Sequence, residues 1–181
     1  MRLKNKIAII TGAASGFGKG IAKKFSEEGA KLILVDINKD LLEKVSKDLN
    51  QEFFHTDVSS SRSMQQLADY VLKKYESIDI MVNNAGITHL PKPLEEVSEE
   101  EFDKTFAVNS KSVFLCGKFF VPHMKKQKKG SILNISSTAG ISPRPNLNWY
   151  NATKGWVITA TKAMAVELAP FNVRVNSLAP V

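Results

Sequence analysis

Tyr150 and Lys154 stand four residues apart in Trp149-Tyr150-Asn151-Ala152-Thr153-Lys154, thirteen positions after Ser137. On a helix that spacing sends both side chains out from one face, so a phenol and an ammonium reach the same small volume. A cation beside a phenol favours the phenolate. Moving a phenol's ionisation from about 10 to neutrality takes about 4 kcal/mol, within reach of one positive charge in a partly dry site. A phenol so placed works as an acid or base near neutral pH. Ser137 closes Ile132-Leu133-Asn134-Ile135-Ser136-Ser137, where a hydroxyl could polarise a carbonyl held against the phenol. Ser136 competes for that task, and a serine at a strand end more often satisfies backbone.

A second cluster lies near the start of the chain. Thr11-Gly12-Ala13-Ala14-Ser15-Gly16-Phe17-Gly18 follows a short apolar run and opens an amphipathic one. Bare glycine backbone lets a pyrophosphate come close, and the positive end of the following helix favours its charge. The spacing is not that of the common G-x-G-x-x-G fingerprint. Asp36 ends Leu32-Ile33-Leu34-Val35-Asp36, about twenty residues beyond the turn, where a carboxylate accepts hydrogen bonds from ribose hydroxyls. It would repel a ribose phosphate, and Ser15 brings no basic charge to the turn, so the pattern favours NAD, with NADP the lesser candidate. Asp36 also suits the N-cap of the next helix.

Positioning these groups falls to strands at residues 7–10, 31–35, 52–55, 80–82, 131–135 and 173–176. Helical periodicity fills 16–28, 39–49, 61–76, 98–126 (broken near its start or at Asn109) and 148–168. Gly29, Gly130 and Pro170 mark stops. Continuous apolar strands alternating with helices predict an α/β fold, a doubly wound parallel sheet of the Rossmann type in the order 3-2-1-4-5-6. Ligands of such sheets sit at the carboxyl ends of the strands, where the order reverses, and Thr11, Asp36, Asn83, Ser137 and Ser177 all fall at or near strand ends.

Taken in order, Thr11-Gly12 to Gly18, Asp36, Asp57-Val58, Asn83-Asn84-Ala85-Gly86, Asn109, Ser136-Ser137, Tyr150 with Lys154, and Arg174-Val175-Asn176 resemble the short-chain dehydrogenase/reductase family, from Lys4 to Val181. The resemblance implies a nicotinamide-dependent oxidoreductase that moves a hydride between its cofactor and a secondary alcohol or ketone. It implies cofactor contacts at Gly12, Ser15, Gly16, Phe17 and Gly18, an adenine pocket at Asp57 and Val58, and a turn beside the adenosine ribose at Asn83, Ala85 and Gly86. It selects Ser137 over Ser136 and makes Tyr150 the proton donor. Lys154 is implied both to ease proton loss from the phenol and to hold the nicotinamide ribose, while Asn109 distorts its helix and holds a water on a proton route. On residues alone, Asp57 is as good a cap, the asparagines are simply turn formers, and Asn109 fits a solvated helix face.

The family continues past the sixth strand through a substrate loop, a helix and a seventh strand. Residues 1–181 are therefore expected to form a single dinucleotide-binding domain carrying the catalytic residues, with the usual seventh strand and the C-terminal substrate-lid segment missing. An NAD-binding protein without turnover is the alternative that this implies. The long helices resemble those that pair in family members, implying a homodimer or homotetramer.

Composition narrows the rest. Apolar residues make up 43% and charged ones 24% of 181 residues, ordinary for one globular domain. The net charge of +7 raises nucleic acid as a partner, but the lysines fall in pairs at expected helix ends with no interleaved aromatics. No membrane partner is expected, since no apolar run approaches spanning length. With Cys116 the only cysteine, no internal disulfide can form, and a cytoplasmic setting is expected; the thiol's apolar neighbours place it in a helix core. His55 and His123 belong to no ligand pattern, so no metal is expected. On the substrate side, Thr88, His89 and Leu90, with Pro143, Arg144, Asn146 and Trp149, are candidates to wall the pocket, and Arg144 to meet an acidic substrate group.

Overall fold

The computed structural model describes residues 1–181. Its main elements are β1 (Ile7–Thr11), α1 (Gly16–Glu27), β2 (Lys31–Asp36), α2 (Lys39–Leu49), β3 (Glu52–His55), α3 (Ser61–Lys74) and β4 (Ile80–Asn83). They continue with α4 (Glu99–Phe106), α5 (Ser112–Gln127), β5 (Gly130–Ile135), α6 (Asn148–Leu168) and β6 (Val173–Leu178). All six strands pair in parallel in the order β3-β2-β1-β4-β5-β6. Because β1 pairs with both β2 and β4, the chain reverses direction across the sheet beside β1, opening a crevice at that switch point.

Alternate strand residues serve opposite layers. Ile9, Ile33, Met81, Ile132 and Val175 pack on one face with residues of α3 and α5, while Ala8, Ile10, Leu32, Leu34 and Val82 pack on the other with α1 and α2. Successive side chains point to opposite faces, so a strand covered on both must be apolar throughout. No helix is long and apolar enough to cross a membrane. Lys24, Lys73, Lys74, Lys125 and Lys126 lie in last helical turns, where the helix dipole favours a cation.

Helix starts refine the sequence reading. Asn38 caps α2 and Ser60 caps α3, so neither Asp36 nor Asp57 is spent as an N-cap. Ser98 and Glu101 form a reciprocal capping box that starts α4. The stretch 98–126 is not one regular helix: a π-helical turn at Ala107–Lys111, with Asn109 in its middle, separates α4 from α5. The third helix stops at Lys74 instead of residue 76, because Tyr75 turns extended and carries its hydroxyl to Glu52.

Candidate active site at the carboxyl edge of the sheet

The ends of β1 and β4 are stitched together before either meets a ligand. Thr11 Oγ1 accepts hydrogen bonds from the backbone N–H of Asn84 (3.0 Å) and Ala85 (3.1 Å), and Asn84 Nδ2 donates to the carbonyls of Thr11 and Gly12. Behind them Asn83 Nδ2 donates to Asn134 Oδ1 (2.8 Å), whose own amide donates to Thr161 on α6 (2.9 Å). One polar chain thus fixes β4, β5 and α6 relative to one another.

A cavity of about 540 Å³ opens above this seam. Gly12, Ser15, Gly16, Phe17, Asp36, Asp57, Val58, Ala85 and Gly86 line it, joined by Ile37, Thr56, Lys104 and Val108, while Gly18 and Asn83 are buried behind it. Both Asp36 oxygens are held by backbone, Oδ2 by Ala14 N–H (3.0 Å) and Oδ1 by Asn38 N–H (2.9 Å), which fixes the carboxylate at the strand end. Asp57 Oδ1 accepts from the backbone N–H and hydroxyl of Ser59. The residues fit a dinucleotide. Gly16 has a left-handed backbone (φ +50°) with nothing within 4 Å of where a Cβ would stand, an open approach for a pyrophosphate at the start of α1.

A second cavity of about 320 Å³ shares Phe17, Asn84, Gly86 and Ile87 with the first and is lined further by Ser137, Tyr150, Lys154, Thr88 and Arg144. Tyr150 and Lys154 face it from consecutive turns of α6, with the ammonium 5.9 Å from the phenol's ring centroid. Lys154 is only 5% exposed, and its Nζ donates to the Ile135 carbonyl at 3.0 Å. Burial lowers its pKa to about 8, since a dry setting disfavours the charged amine.

Ser137 and Ser136 divide the work the sequence left open. Ser136 turns inward and donates to the Lys154 carbonyl (2.8 Å), tying α6 to the end of β5. Ser137 Oγ accepts from the Ala139 N–H (3.1 Å), leaving its own proton free to donate towards the cavity it lines. Asn109 is 2% exposed, which removes the solvated-face reading. Its Oδ1 accepts from Ile87 N–H (2.8 Å) and its Nδ2 donates to the Ile87 carbonyl (2.9 Å) and Thr153 Oγ1 (3.0 Å). A Cβ at Gly86 would lie 3.2 Å from Lys154 Nζ and 3.4 Å from Asn109 Oδ1, so Asn109 and Lys154 meet across that glycine.

Of the residues proposed for the substrate wall, Thr88 and Arg144 line the cavity. Trp149 packs edge-on against Phe102, with its indole N–H towards the Leu94 carbonyl, and His89 is buried. Cys116 is buried in α5, where burial pushes its thiol's pKa up. Sequence reasoning missed Thr11, Asn134 and Thr161 as organisers. A polar residue in the middle of the apolar run Ile132-Leu133-Asn134-Ile135 was the available signal.

A family model for short chain dehydrogenases matches residues 6–181. The 3-oxoacyl-[acyl-carrier-protein] reductase of Thermotoga maritima is 41% identical over 185 residues, spanning 99% of this chain and 75% of that protein. Among solved structures, the 3-ketoacyl-(acyl-carrier-protein) reductase of Brucella melitensis complexed with NADH is 44% identical with a TM-score of 0.96, covering 99% of this chain and 76% of that one. A metagenomic short-chain oxidoreductase in complex with NADP is 33% identical with a TM-score of 0.95, covering 99% of this chain and 84% of that one.

Proposed function

This chain belongs to the short-chain dehydrogenase family, and from that premise we propose that it interconverts a secondary alcohol and a ketone with a nicotinamide cofactor, NAD in preference to NADP. The observation that carries the proposal is the meeting of Ser137, Tyr150 and Lys154 in a cavity sharing a wall with the glycine turn. When bound, the nicotinamide supplies or takes up the hydride. The protein's own residues manage the proton and the polarity of the carbonyl.

In the reductive direction Tyr150 donates its phenolic proton to the carbonyl oxygen, and Ser137 donates a hydrogen bond to the same oxygen. Lys154, four residues along the same helix face, offsets the charge that develops on the phenolic oxygen and holds the nicotinamide ribose. Asn109 keeps the Ile87 backbone and the Thr153 hydroxyl in place beside Lys154. Gly12, Ser15, Gly16 and Phe17 would hold the pyrophosphate side, with Gly18 letting α1 pack close against the Gly12 carbonyl; Asp57 and Val58 would hold the adenine, and Ala85 and Gly86 the adenosine ribose, with Asn83 supporting them from behind. The preference for NAD rests on Asp36, whose anchored carboxylate welcomes ribose hydroxyls and repels a phosphate there. NAD-linked and NADP-linked complexes both occur among similar structures, so cofactor choice is assigned from this residue.

Residues 1–181 are proposed to act as one dinucleotide-binding domain carrying the catalytic residues, and to pair with a second copy as a homodimer or homotetramer. The direct test is fluorescence titration with NADH and NADPH, followed by a screen of secondary alcohols and ketones. Tyr150→Phe is expected to cut turnover by about 10²–10⁴-fold while leaving cofactor affinity within about threefold. Unchanged turnover in that variant, or tighter binding of NADPH than NADH, would overturn the corresponding assignment.

A further inference from the structure

We propose that Arg144 determines specificity by holding a carboxylate on the substrate, so that the enzyme acts on small oxo or hydroxy acids; this rests on the dehydrogenase reading above. Arg144 lines the same cavity as Ser137, Tyr150 and Lys154. The only charged side chains among the lining residues are Arg144 and Lys154, both cationic, with no aspartate or glutamate to neutralise them. Such a wall concentrates anions.

The guanidinium is unspent. Its one hydrogen bond in the protein is a 3.5 Å approach to Thr138 Oγ1, and it takes part in none of the chain's ion pairs. A group with five N–H donors in a planar fork keeps most of its capacity, and that fork matches a carboxylate with two parallel hydrogen bonds.

The loop carrying it is not free to wander. Buried Asn151, next to Tyr150 on α6, donates from Nδ2 to the Arg144 carbonyl at 2.7 Å. From the other side Lys92 N–H donates to the Asn146 carbonyl at 3.0 Å, and Asn146 itself sits in the left-handed region (φ 62°) that asparagine tolerates. Arg144 is thus registered to the helical turn that carries the phenol, through Asn151, while its fork leans on the residue following Ser137. A carbonyl placed at Ser137 and Tyr150 leaves the rest of a compact substrate to reach towards the guanidinium within about 320 Å³.

The test compares acetoacetate, 4-oxopentanoate and 2-oxobutanoate with their methyl esters. The measurements are NADH-dependent reduction and quenching of the fluorescence of the enzyme–NADH complex. The wild-type protein is expected to favour at least one acid over its ester by about tenfold or more, through KM, with an acid KM that rises with ionic strength while the ester KM stays flat. Arg144→Gln is expected to lower the acid-to-ester ratio about tenfold, and Arg144→Lys to restore part of it, a rescue that a merely structural role would not give. Esters favoured over every acid, or an unchanged ratio in Arg144→Gln, would overturn this inference and leave the oxidoreductase reading standing. Failure to bind NADH or reduce any carbonyl would overturn that reading, and this one with it.

Discussion

Lys154 carries the clearest conflict between folding and chemistry. The residue is 5% exposed, its amine has one carbonyl partner, and its pKa of about 8 lies below the lysine value of 10.5. Holding it charged at pH 7 therefore costs about 3 kcal/mol of stability. Below pH 8 both folded and unfolded states are protonated, and the full cost is present. Between about 8 and 10.5 the unfolded state binds more protons than the folded one, so the wild type gains stability as pH rises through that window. Lys154→Met is expected to raise the melting temperature of the cofactor-free protein by about 6–12 °C at pH 7 while abolishing turnover. The gain should shrink to nothing by about pH 10.5 in calorimetry across that range. A Met variant less stable than wild type at pH 7 would show that the hydrogen bond to Ile135 outweighs the burial. At this scale, residue spacing put Tyr150 and Lys154 on one helix face, while the choice of Ser137 over Ser136 came from the family resemblance. The polar chain through Asn134 and Thr161 was not legible: the lone amide in β5 signals a buried partner without naming it, and only the fold brings Thr161 within 2.9 Å.

Among the elements, strand and helix identity followed from pattern: the central strands β1, β2 and β4 are apolar on both faces, while the edge strand β6 alternates buried and exposed residues. The π-helical turn at Ala107–Lys111 was visible only as an amide in the middle of a helix, and its cause is tertiary: Asn109 reaches the Ile87 backbone. At the opposite, amino end of the sheet, Asp79 joins three elements, accepting from Ile7 N–H on β1 (3.0 Å), Lys6 (3.3 Å) and Lys129 before β5 (2.5 Å). Burial raises its carboxyl's pKa, but the contacts from Lys129, Ile7 and Lys6 outweigh it and leave the pKa below the ordinary value. Stability from this pairing is present at neutral pH and is lost as pH falls through that depressed pKa. Asp79→Asn is expected to cost about 2–4 kcal/mol in urea unfolding at pH 7, with the difference narrowing in acid. No change at pH 7 would show that the amide replaces the carboxylate fully.

On the scale of the whole molecule, the helical face of α4 to α6 leaves Phe102, Phe106, Phe114 and Trp156 partly exposed, around a groove between α5 and α6 lined by Val113, Val121 and Met164. Apolar exposure gathered on one face is the usual mark of association. Phe114→Glu is expected to convert the proposed homodimer or homotetramer to monomer in light scattering, with the far-ultraviolet circular dichroism of the sheet unchanged. A wild-type protein already monomeric at micromolar concentration would remove the assembly proposal.

The switch point beside β1 has one more consequence. The crevice has no element of its own: its walls are mostly the turns that follow the strand ends at positions 11, 36, 55 and 83 of the chain, brought level by strand pairing and by the side-chain bonds between Thr11 and Asn84. A slip of one residue in any strand would turn its terminal side chain to the opposite layer and dissolve the cleft. Nucleotide affinity is thus tied to the alignment of β1, β2, β3 and β4, whose ends carry the lining turns.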